Sequence, residues 1–171
     1  MIRSDNKLKM LSEIIQKGNS IEIPEAILLL REEHPFEGAI GLLTKYYNEN
    51  TDNIIRKAIA DFMNDIKDPS ARSEIMNEIR KPWNDDTISM LVSSCWQSGL
   101  NYAEYSMDFA RVFLTGDYVT AVECLTVIEE SAPELSVESK NEIIKFIEES
   151  PVQPINEKTA LKLELISILG G

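Results

Sequence analysis

Apolar residues recur along this chain at intervals of three and four, the spacing that lines one face of an α-helix. In residues 2–17, Leu8, Leu11, Ile14 and Ile15 keep that spacing, and Gly18 follows as a stop. Ser20-Ile21-Glu22-Ile23 reads as an extended link. Pro24 then opens a short helix over Glu25 to Glu33, since its missing N–H costs nothing in a first turn. His34-Pro35 ends that helix, because the residue before a proline is pushed out of the α region. From Pro35 onward, helices of about 12–15 residues alternate with short polar breaks. The breaks are Asn48 to Asp52, Lys67 to Ser70, Trp83 to Asp86, Gly99 to Asn101, Thr115 to Asp117 and Ser131 to Pro133. Breaks this short join antiparallel neighbours. No alternating run rich in Thr, Val and Tyr competes for a strand, so the pattern predicts an all-α chain.

The helices also repeat in pairs. Three begin with an acidic cap followed two residues later by a β-branched residue: Asp52 with Ile54, Asp86 with Ile88, and Asp117 with Val119. These caps lie 34 and 31 residues apart, and ten residues beyond each stands a large apolar residue, Phe62, Trp96 or Val127. Asn156 is the candidate cap of a fourth unit whose apolar set is Ala160, Leu161, Leu163, Leu165, Ile166 and Leu169. The helix before each cap carries its own motif, a doublet and then a further apolar residue: Leu42-Leu43 and Tyr46, Ile75-Met76 and Ile79, Phe109-Ala110 and Phe113, Ile143-Ile144 and Ile147. A pair with so broad an apolar stripe buries it by stacking on the next pair, the logic of a solenoid. An irregular α-bundle with helices of similar length is the competing arrangement.

Thr51-Asp52-Asn53-Ile54-Ile55-Arg56-Lys57-Ala58-Ile59-Ala60 resembles the start of the second helix of a HEAT repeat. The resemblance implies a short right-handed α–α superhelix of about four helix pairs over residues 35–169, with residues 1–34 as an N-terminal cap and one domain over 1–171. It further implies that Arg56 bonds across neighbouring units and that Ala58 lets helices approach closely. The Arg is not repeated, as Met90 and Ala121 stand at the corresponding positions.

Length and composition fit one folded domain: 171 residues, 43% hydrophobic and 27% charged. The charge adds more. Acids outnumber bases 29 to 17, for a net −12, which disfavours nucleic-acid phosphates and anionic membranes and suits a protein partner with a basic segment. The same charge also simply keeps a protein soluble. Cys95 and Cys124 fall inside apolar helical patterns, as buried free thiols of a reducing cytoplasm do. No apolar run approaches the roughly 20 residues that span a bilayer, and the N-terminus lacks a signal-type core. A cytoplasmic location is expected.

Catalytic chemistry finds little support. His34, the only histidine, precedes Pro35 at a helix end, and neither cysteine has a sequence reason to meet it. The acidic doublets Glu32-Glu33, Asp85-Asp86, Glu129-Glu130 and Glu148-Glu149 point about 100° apart on a helix and form no ready dyad. No cysteine–histidine zinc spacing, calcium loop or phosphate-binding glycine loop occurs, so no catalytic residue, cofactor or metal is assigned. Some DNA glycosylases and bilin lyases use HEAT-like scaffolds, and an enzyme or small-molecule binder of that kind is the alternative reading.

The expected function is non-catalytic: a scaffold that presents an acidic inner face, lined by second helices, to another protein. The candidate contact residues are Lys57, Asp61, Asn64, Met90, Ser94, Gln97, Glu123 and Glu130, which lie off the apolar stripes, together with Trp83. Trp96 is expected in the core beside Leu91, Val92 and Cys95. The oligomeric state is left open.

Overall fold

The computed structural model describes residues 4–31, 36–150 and 158–171. The chain divides into two compact units, Met1–Leu100 and Asn101–Gly171. The first holds α1 (Asp5–Lys17), α2 (Glu22–Arg31), α3 (Ala39–Glu49), α4 (Asn53–Asn64), α5 (Arg72–Ile79) and α6 (Asp85–Gln97). The second holds α7 (Ser106–Thr115), α8 (Tyr118–Ser131), α9 (Val137–Glu149) and α10 (Thr159–Gly170). Among the described residues there is no strand, and no helix is long and apolar enough to cross a membrane.

Several helix starts follow local capping chemistry. The Asp52 carboxylate accepts from the N–H groups of Ile54 and Ile55, and Asp117 accepts from Thr120, each quieting a free donor of the first turn. Two boundaries differ from expectation. The cap of α6 is Asn84, accepting from Thr87 N–H at 2.8 Å, while Asp85 and Asp86 sit within the first turn, where the helix dipole favours them. Helix α2 starts at Glu22 rather than after an extended link, because Asn19 Oδ1 accepts from both Ile21 and Glu22 N–H. Pro24 is thereby placed inside the first turn, which tolerates it. The expected stop at His34-Pro35 and the cap at Asn156 lie outside the described residues.

Within the first unit, α1 packs against α2, α3 against α4 and α5 against α6, while α3 lies between α1 and α5 and α4 between α2 and α6. Their facing stripes supply the core, among them Leu11, Ile27, Ile40, Leu43, Ile59, Met63, Ile75, Met76 and Leu91. Each such side chain contributes about 1.5–3 kcal/mol by leaving water. Within the second unit, α7 packs against α8 and α9, and α10 against α8 and α9, around Phe109, Phe113, Cys124, Ile128, Ile147 and Leu165.

The repeat landmarks Phe62 and Val127 are buried, but Trp96 is 39% exposed. The core face of α6 instead includes Ser94 and Ser98, whose hydroxyls donate to the carbonyls of Leu91 and Cys95. A serine bonded back to its own helix can be buried at little cost, so residue polarity misplaces this face. Leu163, expected in the apolar set of α10, is 65% exposed.

Two helix ends are satisfied from a distance. Helix α3 begins at Gly38, whose φ of 89° suits a residue without Cβ and which offers no capping side chain. Glu74 on α5 takes that role: its Oε1 accepts from the N–H groups of Gly38 and Gly41, both at 3.1 Å. A Cβ at Gly41 would lie 2.9 Å from Glu78 Oε1, so glycine lets α5 carry its carboxylates this close. Burial, reinforced by Glu78 and Glu37, outweighs the two N–H bonds and holds Glu74 above its ordinary 4.5. In the second unit, Lys158 is 1% exposed, and its ammonium donates to the carbonyls of Phe113 (2.8 Å), Leu114 (3.1 Å) and Gly116 (2.7 Å). These are acceptors that the end of α7 leaves without an intrahelical donor. Burial lowers the pKa of Lys158, opposed in part by Cys124 and Asp117.

Replacing Glu74 with Ala should cost about 1 kcal/mol by chemical denaturation, the usual worth of a lost cap, whereas Glu74→Gln keeps an acceptor and should cost less. Because folding raises the Glu74 pKa, its stabilising contribution is complete below about pH 4.5 and is lost as pH rises through the folded value. Glu74→Gln should remove that pH dependence; an unchanged profile would refute the assignment. Lys158→Met leaves three carbonyls without a donor and should cost about 2 kcal/mol in urea denaturation. A loss below about 0.5 kcal/mol would mean that water replaces the ammonium easily.

Candidate interaction surface

In the first unit the expected contact residues fall into two groups. Lys57 is exposed on α4 and pairs with Asp61 one turn on, at 2.6 Å. Asn64 Nδ2 donates to Gln97 Oε1 at 2.8 Å, tying α4 to α6. These four residues therefore share a surface made by the two second helices. Met90 and Ser94 do not join it: they are 8% and 0% exposed, which corrects their assignment as contact residues. Met90 fills the core as its side chain suits, and the bonded hydroxyl of Ser94 lets it follow.

Trp83 is half-buried, with the Lys81 ammonium 5.8 Å from its ring centroid. Its indole nitrogen is enclosed without a hydrogen-bond partner. In the second unit, Glu130 is exposed and Glu123 half-buried on α8. Sequence reasoning missed Ile54 and Trp96, which are 62% and 39% exposed on α4 and α6. Both sit at apolar positions of their helices, so the pattern alone assigns them to the core.

The second helices of the first unit are held side by side by polar cross-ties. Ser20 donates to Asp52 at 2.5 Å, Arg31 pairs with Asp65, and Lys67 Nζ donates to the Ser98 carbonyl at 2.6 Å. Arg56 reaches Asp86 at 3.4 Å, with its guanidinium 4.2 Å from the Tyr47 ring centroid. Asn48 Oδ1 accepts from Asn84 N–H and the Thr87 hydroxyl, joining the end of α3 to the start of α6. The α2–α4 and α4–α6 ties, including Asn64 to Gln97, join residues 30 to 34 apart in sequence, matching the spacing of the helix pairs. Hydrogen bonding to Tyr47, ahead of Asp86, raises the Arg56 pKa further. The Ser20 hydroxyl, with the N–H of Ile54, holds Asp52 below its ordinary 3.8.

A concavity lies between α1 and α2. It is a shallow groove of about 670 Å³ lined by Met10, Ile14, Ala26 and Leu29 together with Glu13, Lys17, Glu22 and Glu25. Among the described residues no group of three or more His, Cys, Asp or Glu is placed to hold a metal ion, and Cys95 and Cys124 are buried and form no disulfide. Comparison with protein-family models, curated proteins and solved structures finds no match.

Arg56 should act mainly through its ring contact, because Asp86 is 77% exposed and the charge pair is open to solvent. Arg56→Ala should cost about 1 kcal/mol, and Asp86→Ala less than about 0.5 kcal/mol. A double-mutant cycle giving a coupling above about 1 kcal/mol would reverse that ranking.

Proposed function

We propose that this chain is a non-catalytic protein-interaction module, in which stacked HEAT-like helix pairs form a solenoid-type scaffold and the second helices meet a protein partner. The alternation of neighbours within each unit supports the scaffold reading, as do the cross-ties at the repeat spacing in the first unit. The observation that carries the functional reading is the exposure of Ile54 and Trp96 on α4 and α6, whose backbones are fixed by those ties. An aromatic side chain on a rigid surface loses little entropy when it docks, which is why tryptophan so often anchors protein interfaces.

Exposed Lys57 and Gln97, with half-buried Asp61 and Asn64, give this surface a polar surround. A net charge of −12 favours a partner with a basic segment and disfavours nucleic acid. Buried cysteines that form no disulfide fit a cytoplasmic site of action.

Affinity capture from native lysate, read by mass spectrometry at low and moderate salt, tests this reading. The chain should retain a discrete partner that Trp96→Ala loses at least about tenfold, and moderate salt should weaken capture through screening over about 8–10 Å. Retention indifferent to both the substitution and salt would exclude this surface and its electrostatic component.

A further inference from the structure

We propose that the groove between α1 and α2 seats an amphipathic helix of another protein, one with an apolar stripe flanked by Lys or Arg. The inference rests on the partner-binding reading and assigns it a second surface. Its first support is the packing of the first unit. Helix α3 has α1 on one side and α5 on the other, and α4 has α2 and α6, whereas α1 and α2 have such a neighbour on one side only among the described residues. The side left over carries exposed apolar residues. Met10 and Leu29 are 63% and 65% exposed, and Ile14 and Ala26 lie half-buried between them.

Charge supplies the second support. Glu13, Glu22 and Glu25 line the groove against the single base Lys17, a balance of three negative charges to one positive. An apolar segment with basic flanks matches that lining, and an acidic one is repelled. The same argument disfavours a second copy of this chain. A twofold contact would set these carboxylates against their own images.

Size gives the third support. Along α1 the lining runs from Met10 to Lys17, a rise of about 10–12 Å. That length accommodates about two turns of an incoming helix, with apolar anchors at i, i+3 or i+4, and i+7.

Three synthetic peptides, fluorescein-labelled and titrated with the full chain by anisotropy, test the proposal. One is a 14-residue Leu/Lys amphipathic helix; the second has Glu for every Lys; the third is a scrambled Leu/Lys sequence without an apolar face. The Leu/Lys helix should bind saturably, the Glu peptide should not, and the scrambled peptide should bind at least about tenfold more weakly. Leu29→Asp and Met10→Asp should each weaken the Leu/Lys helix about tenfold or more. Both sites are exposed, and unchanged circular dichroism and Tm would show that the fold is intact.

Equal binding of the Leu/Lys helix and its scramble, absence of saturable binding, or indifference to both substitutions would overturn the groove assignment. Binding lost in Trp96→Ala but kept in Leu29→Asp would also overturn it, while leaving the partner-binding reading standing. A concentration-dependent dimer in sedimentation that Leu29→Asp abolishes would give the groove to a second copy and reject the proposed occupant.

Discussion

Every helix end exposes backbone groups that its own turns cannot bond, and a chain broken into short helices has many such ends for its size. A buried N–H or C=O without a partner costs about 1–3 kcal/mol, a large fraction of the net stability of a domain. Side chains near in sequence meet part of the demand: Asp52, Asn84, Asp117 and Ser136 cap α4, α6, α8 and α9. Side chains from elsewhere meet more of it. Glu74 caps α3 across 36 residues, Lys158 satisfies carbonyls at the end of α7 across 42 to 45, and Lys67 reaches the Ser98 carbonyl across 31. These remote caps form only when helices already stand beside one another, so they couple helix formation to packing. Hydrophobic burial supplies most of the favourable free energy, but it is non-directional and leaves register open. The directional caps narrow it.

That division explains what could be read from the chain. Helix content and most breaks were legible because the three-and-four spacing and the Asp52 and Asp117 caps are local signals. The face presented by α6 was not. Two serines at core positions bond to their own helix, while a tryptophan stays partly in solvent, so side-chain polarity gives the wrong orientation. Glu74 and Lys158 were invisible for a different reason. Each sits in a helical context that looks solvent-facing, and its partners are backbone atoms that no residue identity announces. A bond from Arg56 to a neighbouring unit was expected from the resemblance, but neither its partner Asp86 nor its aromatic neighbour Tyr47, on the preceding helix, carries a motif that names it.

The candidate surface was half legible for the same reasons. Lys57, Asp61, Asn64 and Gln97 follow from helical geometry alone, yet their mutual bonds change what they can do. A side chain already engaged with its neighbour has less to offer a partner than an open one, and breaking the pair to bind carries its own cost. Ile54, on the same face of α4, and Leu29, in the α1–α2 groove, have no polar side-chain atoms to free. Ile54 and Leu29 are each more than half exposed, and their transfer from water is favourable wherever a partner can follow their shape.

For the proposed partner with a basic segment, the acidic balance would act on rate and selectivity more than on affinity. Exposed carboxylates attract a basic segment over roughly a Debye length, but each exposed pair adds only about 0–1 kcal/mol once formed. The affinity must come from apolar anchors set in a surface that does not have to reorganise. In the first unit that rigidity is built by the cross-ties between second helices, which join residues 30 to 34 apart. The polar residues that make the chain look like a solvated acidic protein thus have two separable roles. Those between helices tie neighbouring helices together, and those around the apolar residues would, on the proposed reading, select what approaches.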